Sequence, residues 1–213
     1  MITHPSLLIR KIYPSLHWRI SAENDSAGVY LTFDDGPTPG VTNLVLKLLK
    51  KFNAKATFFC VGKNVVRYPQ LYQKIIAEGH QVGNHGFNHL NGWKTSSEEY
   101  IQDVLLCANS VNSNLFRPPY GKISNRQIRL LKKNFHIIMW SVLSMDYSAK
   151  VPKEKSLSIT LKKLKNGDIV TMHDSLKAKE NMLFVLEHLL EHLEQRKWKS
   201  KKIIANQKLR KLG

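Results

Sequence analysis

The feature that most constrains this chain is an alternation in which short apolar or β-branched runs recur between stretches of helical periodicity. The runs lie at Val29 to Phe33, Ala56 to Val61, Gln81 to Gly83, Leu115 to Arg117, His136 to Val142 and Asp168 to Met172. Short runs separated by helix-length segments predict parallel β/α units, because parallel strands need a crossover connection. Between them Leu44, Val45, Leu48 and Leu49 repeat at helical spacing, as do Val104, Leu105, Ala108 and Val111. Ser96 with Glu99 and Ser124 with Gln127 fit capping boxes, and Gly79 and Gly167 fall where helices commonly end. Six strands are expected, with a seventh from about Trp198 to Ile204, where lysines dilute the pattern. No Pro/Gly/Ser-rich linker divides the 213 residues, so one α/β domain with one core is expected over residues 27–213. Residues 1–26 precede the first strand and are expected to pack on the barrel as an N-terminal extension, with Trp18 and Ile20 as plugs.

Every unusual polar cluster falls at the C-terminal end of one of these runs. In a β/α barrel those ends share one mouth, so the clusters should converge. The first is Thr32-Phe33-Asp34-Asp35-Gly36-Pro37, two carboxylates leaving a strand into a turn. The second is Gly83-Asn84-His85-Gly86-Phe87-Asn88-His89, whose histidines are four apart and can be aimed at one ion. That spacing alone is weak evidence, since His188 and His192 share it on the polar side of a helix whose buried stripe is Leu186, Leu189, Leu190 and Leu193. Location separates the pairs: His85, His89 and Asp35 follow strands. Two imidazoles and a carboxylate leave open positions on a divalent ion, as a hydrolytic metal needs, and zinc is the default ion. The same ligand set also describes non-haem iron oxygenases.

The formal net charge of +17 comes from lysines and arginines that are denser near the end, at Lys197, Lys199, Lys201, Lys202, Lys208, Arg210 and Lys211. Such a field attracts polyanions, but no nucleic-acid-binding motif organises it, so an anionic glycan or membrane surface fits equally well and a solvated lysine-rich surface is the plain alternative. Cys60 and Cys107 lie in apolar runs where free cysteine packs as a small hydrophobe, and no disulfide is inferred. Met1 to Ile20 lacks an uninterrupted apolar signal region, and no run is long enough to span a bilayer. The chain therefore reads as soluble and cytoplasmic by default, with the cell envelope as the alternative.

Five segments in order make the resemblance specific. Thr-Phe-Asp-Asp-Gly-Pro, the His-x-x-x-His run, Arg117-Pro118-Pro119-Tyr120-Gly121, Asp146 before an aromatic, and Met172-His173-Asp174 resemble the five motifs of NodB-type polysaccharide deacetylases of carbohydrate esterase family 4. The resemblance implies a distorted (β/α)7-type barrel and hydrolysis of N-acetyl groups on an amino-sugar polymer or glycan, peptidoglycan- or chitin-like, with release of acetate. It implies one divalent ion, zinc or else cobalt, nickel or manganese, on Asp35, His85 and His89. Asp34 would be the general base, oriented by Arg117. The backbone N–H of Tyr120 would help hold the oxyanion, and His173, supported by Asp146, would protonate the leaving amine. Pro118, Pro119, Trp93, Trp140 and Thr171 would contact substrate, with Trp93 the better candidate for stacking on a sugar ring and Trp140 as readily core.

Several positions depart from the family pattern. Gly86 stands where Ser or Thr is usual, which should loosen the metal loop; Leu143 replaces an Asp, Tyr147 a Trp, and Thr171 the Leu that walls the acetyl methyl. None removes a ligand or proton-transfer group. Rival readings are the same machinery on O-acetyl xylan or a non-sugar amide, and an inactive sugar-binding homologue.

Overall fold

The computed structural model describes residues 3–20 and 27–204. Lys208, Arg210 and Lys211 of the basic C-terminus lie outside the described residues, as does the expected extension boundary at residue 26. Among the described residues, seven parallel strands form the main path of one curled, eight-stranded sheet: β1 (Gly28–Asp34), β2 (Thr57–Cys60), β3 (Gln81–Asn84), β4 (Leu115–Phe116), β5 (His136–Ile137), β6 (Val142–Leu143) and β7 (Ile169–His173). Their order is β5-β4-β3-β2-β1-β7-β6, a distorted barrel with β5 and β6 at its two ends. β1 is buried along its whole length, as a strand covered on both faces must be.

The run from His136 to Val142 is two strands and a crossing, not the single strand its apolar composition predicts. Ile138 N–H donates to the Phe116 carbonyl at 2.8 Å on the β4 side, and Ser141 N–H to the Ile169 carbonyl at 3.1 Å on the β7 side. Residues 138–141 thus step across the open seam, and His17 meets them there by bridging Ile138. The expected seventh strand is β8 (Lys199–Lys201), which pairs with β1 over Gly28 to Tyr30, below where β1 meets β2. Gly167 sits in the turn before β7 at φ 84, not at a helix end, while Gly79 follows its helix at φ 80.

Helices α1 (Leu7–Ile12), α2 (Thr42–Lys51), α3 (Gly62–Arg67), α4 (Pro69–Ala77), α5 (Ser97–Ala108), α6 (Asn125–Leu131), α7 (Lys153–Leu161) and α8 (Lys179–Gln195) accompany the sheet. The Ser124 and Gln127 capping box is complete, and Ser96 accepts from the Glu99 N–H. The main core joins Val45, Leu46 and Leu49 of α2 to Val185, Leu186 and Leu189 of α8, each fully buried Leu or Val contributing about 1.5–3 kcal/mol. On α2 it is Leu46, not Leu44, that turns inward. A smaller cluster fills the barrel interior with Tyr30, Phe59, Leu115, Ile138 and Ile169, and Ile20 and Ile203 pack into it. Trp18 packs elsewhere, against the cluster of Tyr100, Phe116 and Ile128.

Candidate active site and metal centre

β1 delivers two adjacent carboxylates to different partners. Asp34 ends the strand, and Asp35 turns at φ 81, a left-handed conformation that Asp tolerates better than most residues. The turn is fastened from below by buried Asp174, whose Oδ1 accepts from Gly36 N–H at 3.0 Å and whose Oδ2 accepts from the Thr42 hydroxyl at 2.5 Å. Only glycine fits at position 36, since a Cβ would lie 2.1 Å from Asp174 Oδ2.

Asp35 Oδ1 lies 3.2 Å from His89 Nε2 and 3.7 Å from His85 Nε2. One ligand atom from each of Asp35, His85 and His89 falls within 4.8 Å of the other two. Burial opposes ionisation of Asp35, but the hydrogen bond from His89, the charge of His173 and, in the acid range where they are protonated, those of His85 and His89 hold its carboxyl well below the usual range. Burial lowers His85 to about 4, so its imidazole is neutral at pH 7. Its Nδ1 lies 2.8 Å from the Arg117 carbonyl oxygen, which can only accept. The proton is therefore on Nδ1 and the Nε2 lone pair faces Asp35, the orientation a metal-ligating imidazole requires. This donor set fits a divalent ion. His188 and His192 are half-buried on α8, with His188 Nδ1 at the Phe184 carbonyl, and they are less solvated than their helix face suggests.

Gly86 does not loosen this loop. At φ 73 it occupies a conformation that disfavours Ser or Thr, and a Cβ there would lie 2.9 Å from Asp103 Oδ2. Buried Asp103 from α5 instead accepts from Phe87 N–H at 2.9 Å, from Asn88 N–H at 2.9 Å and from the Asn88 side chain at 2.6 Å. Asn84 adds a bond from Gly86 N–H at 2.8 Å.

Arg117 is wholly buried beneath the mouth. Its Nη1 donates to Asp34 Oδ1 at 2.8 Å and to Thr32 Oγ1 at 2.7 Å, while Nε and Nη2 donate to the carbonyls of Ile138 and Met139. The guanidinium also stacks 4.1 Å from the Phe59 ring centroid. Across the mouth, His173 Nδ1 lies 2.9 Å from Asp146 Oδ1, and His173 N–H donates to Oδ2 at 2.7 Å. Ser144 donates to Asp146 at 2.8 Å. Burial works against a charge on His173, yet Asp146 outweighs it, with smaller help from Asp35 and Asp34, and raises the imidazole to about 9.

Asp34, Asp35, His85, His89, Tyr120, Trp140 and His173 line one pocket of about 260 Å³, together with Leu143, Tyr147 and Lys177. Thr171 does not line it; its hydroxyl lies 3.1 Å from Thr32 in the barrel wall, and Leu143 supplies the apolar surface. Pro118 and Pro119 are buried outside the lining. Trp93 lines a neighbouring groove, with Lys122 Nζ 3.6 Å from its ring centroid. Sequence reasoning missed Asp103, Ser144 and the role of Asp174. Asp103 carried a signal, for it shares a helical stripe with Tyr100, Val104 and Cys107, where a carboxylate is out of place.

The chain is similar in sequence and in fold to known proteins. The family described as polysaccharide deacetylase matches residues 21–136. A peptidoglycan-N-acetylglucosamine deacetylase of Bacillus cereus is 32% identical over 196 residues, covering 89% of this chain and 92% of that protein. A chitooligosaccharide deacetylase of Azorhizobium caulinodans is 32% identical over 159 residues, covering 70% and 75%. The solved structure of a peptidoglycan N-acetylglucosamine deacetylase in complex with 4-naphthalen-1-yl-N-oxidanyl-benzamide superposes with a TM-score of 0.83 at 27% identity, over 98% of this chain and 99% of that one. Among the described residues, no helix is long and apolar enough to cross a membrane. The chain belongs to the polysaccharide deacetylase family, the NodB-type hydrolases of carbohydrate esterase family 4.

Proposed function

We propose that the chain removes acetyl groups from N-acetylglucosamine units of peptidoglycan or a chitin-like glycan, releasing acetate and a free amine, and that residues 1–26 are an extension of a catalytic domain spanning 27–213. The observation that carries this reading is the convergence on one pocket of a carboxylate paired with arginine, a carboxylate paired with two histidines, and a histidine paired with a third carboxylate. The substrate class follows the names of the relatives.

Asp35, His85 and His89 would hold a divalent ion, for which zinc is our choice because imidazole and carboxylate suit it. Such an ion supplies Lewis-acid polarisation of the acetamide carbonyl and acidifies water. Asp34, fixed through one oxygen by Arg117, has its other oxygen to take a proton from the attacking water. Leu143 faces the acetyl methyl. The Tyr120 N–H, on a turn held at φ 59, donates to the oxyanion. His173, protonated at neutral pH and anchored through Nδ1, gives its Nε2 proton to the nitrogen as the C–N bond breaks, and Asp146 keeps the ring in place.

The test is acetate release from chitooligosaccharides, peptidoglycan and acetylxylan after reconstitution with zinc, cobalt, nickel or manganese. Acetate and new amine from the first two are expected. Release from acetylxylan alone would move the reading to ester hydrolysis, and binding without release from any polymer would favour an inactive sugar-binding protein.

A further inference from the structure

Beside the catalytic pocket lies a second groove of about 290 Å³, and the two share Tyr120, Gly121 and Trp140. We propose that this groove takes a hydrocarbon part of the substrate, so that the enzyme acts on an N-acetylated amino sugar carrying an alkyl or isoprenoid aglycone. This inference rests on the deacetylase reading.

The walls argue for hydrocarbon over a further sugar. Ile9 of α1, Leu16, Ile123, Ile128 and Met139 give the groove an aliphatic lining. Two of its three indoles offer little to a hydroxyl, because Trp93 Nε1–H already donates to the Ile123 carbonyl at 3.1 Å and Trp18 Nε1–H to the Tyr13 carbonyl at 3.4 Å. The one ammonium in the lining, Lys122, sits against the Trp93 ring. The phenols of Tyr13 and Tyr120 and the Lys122 ammonium remain as polar side-chain groups, so a sugar entering here would recover only part of the water lost from its hydroxyls, whereas a hydrocarbon chain gains from leaving water. The same helix that contributes Ile9 turns Leu7, Leu8 and Ile12 outward at 73, 67 and 59% exposure, with exposed Lys11 beside them. That is the face of a helix that meets an apolar phase beside anionic groups. An aglycone that outgrows the groove therefore has an apolar surface to follow, and continuity with the catalytic pocket lets sugar and chain bind together.

The test uses soluble β-N-acetylglucosaminides with methyl, butyl and octyl aglycones. Acetate release gives kcat/KM, and quenching of the groove tryptophans gives Kd independently of turnover. Each buried CH₂ should improve both about fourfold until the groove is full, chiefly through KM. Ile9→Gln, on a half-buried surface position, should cut the octyl-to-methyl ratio severalfold in both readouts. Equal constants across the series would overturn the proposal, as would a gain that Ile9→Gln leaves intact. So would a larger gain from a second sugar than from the octyl chain. If Kd falls with chain length while no glycoside releases acetate, the groove assignment stands and the deacetylase reading fails.

Discussion

Asp34 and Asp35 are covalent neighbours whose surroundings separate their duties, and substitution should separate them too. Asp34→Asn removes a proton acceptor beside Arg117 and leaves the Asp35, His85 and His89 cluster intact, so metal content should hold while turnover falls at least about 100-fold. His85→Ala removes a proposed ligand, and elemental analysis should show lost metal with it, while the double variant His188→Ala, His192→Ala should keep its metal. Metal loss in Asp34→Asn would mean the two carboxylates are assigned the wrong way round. His173 gives the pH dependence. Its pKa of about 9 keeps it protonated at neutral pH, so an acid-dependent rate falls as pH rises through that value. Asp146→Asn removes the largest charge that raises it and leaves burial, which lowers it. The alkaline limb of kcat/KM must therefore move to lower pH. An unmoved limb would show that His173 is not the acid. His173→Ala should damage amide hydrolysis far more than hydrolysis of an activated acetate ester, because an amine leaves poorly without a proton.

At the scale of elements, the loop that carries the proposed ligands His85 and His89 depends on α5. Asp103 receives two backbone N–H groups and one amide from the segment between the histidines, and charged hydrogen bonds of this kind contribute about 1.5–3 kcal/mol each. Asp103→Ala should lower metal affinity about 10- to 100-fold, as loss of outer-shell partners does, with smaller effect on the pH profile. Unchanged affinity by metal titration would show that the loop holds itself. This dependence also marks what the sequence could tell. The strand ends carrying Asp34, His85, Arg117 and His173 were legible because period and turn chemistry are local. The splitting of the 136–142 run was not, since two short buried strands and one longer strand have the same apolar composition, and only partners 20 to 30 residues away separate them. Gly86 misled for a related reason: its missing hydroxyl is local, and the carboxylate that holds the loop is on another element. Thr171 likewise reads as a pocket wall until Thr32 is known to face it.

For the molecule as a whole, the excess of positive charge acts at a distance that no single contact reaches. With a formal net charge of +17, a polymer bearing carboxylates is drawn toward the protein at low salt, and a neutral one is not. Lys177 at the pocket and Lys122 at the groove bring part of that field to the mouth. The range of the attraction is the Debye length, about 30 Å at 0.01 M salt and about 10 Å at 0.1 M. KM for peptidoglycan fragments that carry free carboxylates should therefore rise severalfold across that interval. KM for neutral chitooligosaccharides should change little, and kcat for both should stay level because the charges acting on the reacting groups are their own close partners, 2.8 to 3.7 Å away and well inside either Debye length. Equal salt dependence for the two substrates would place the effect in the protein's own stability or metal binding. A thermal melt and metal assay at each salt concentration, run beside the kinetics, would identify that cause. Flat KM values for both would make the lysines a solvated surface with no part in substrate capture.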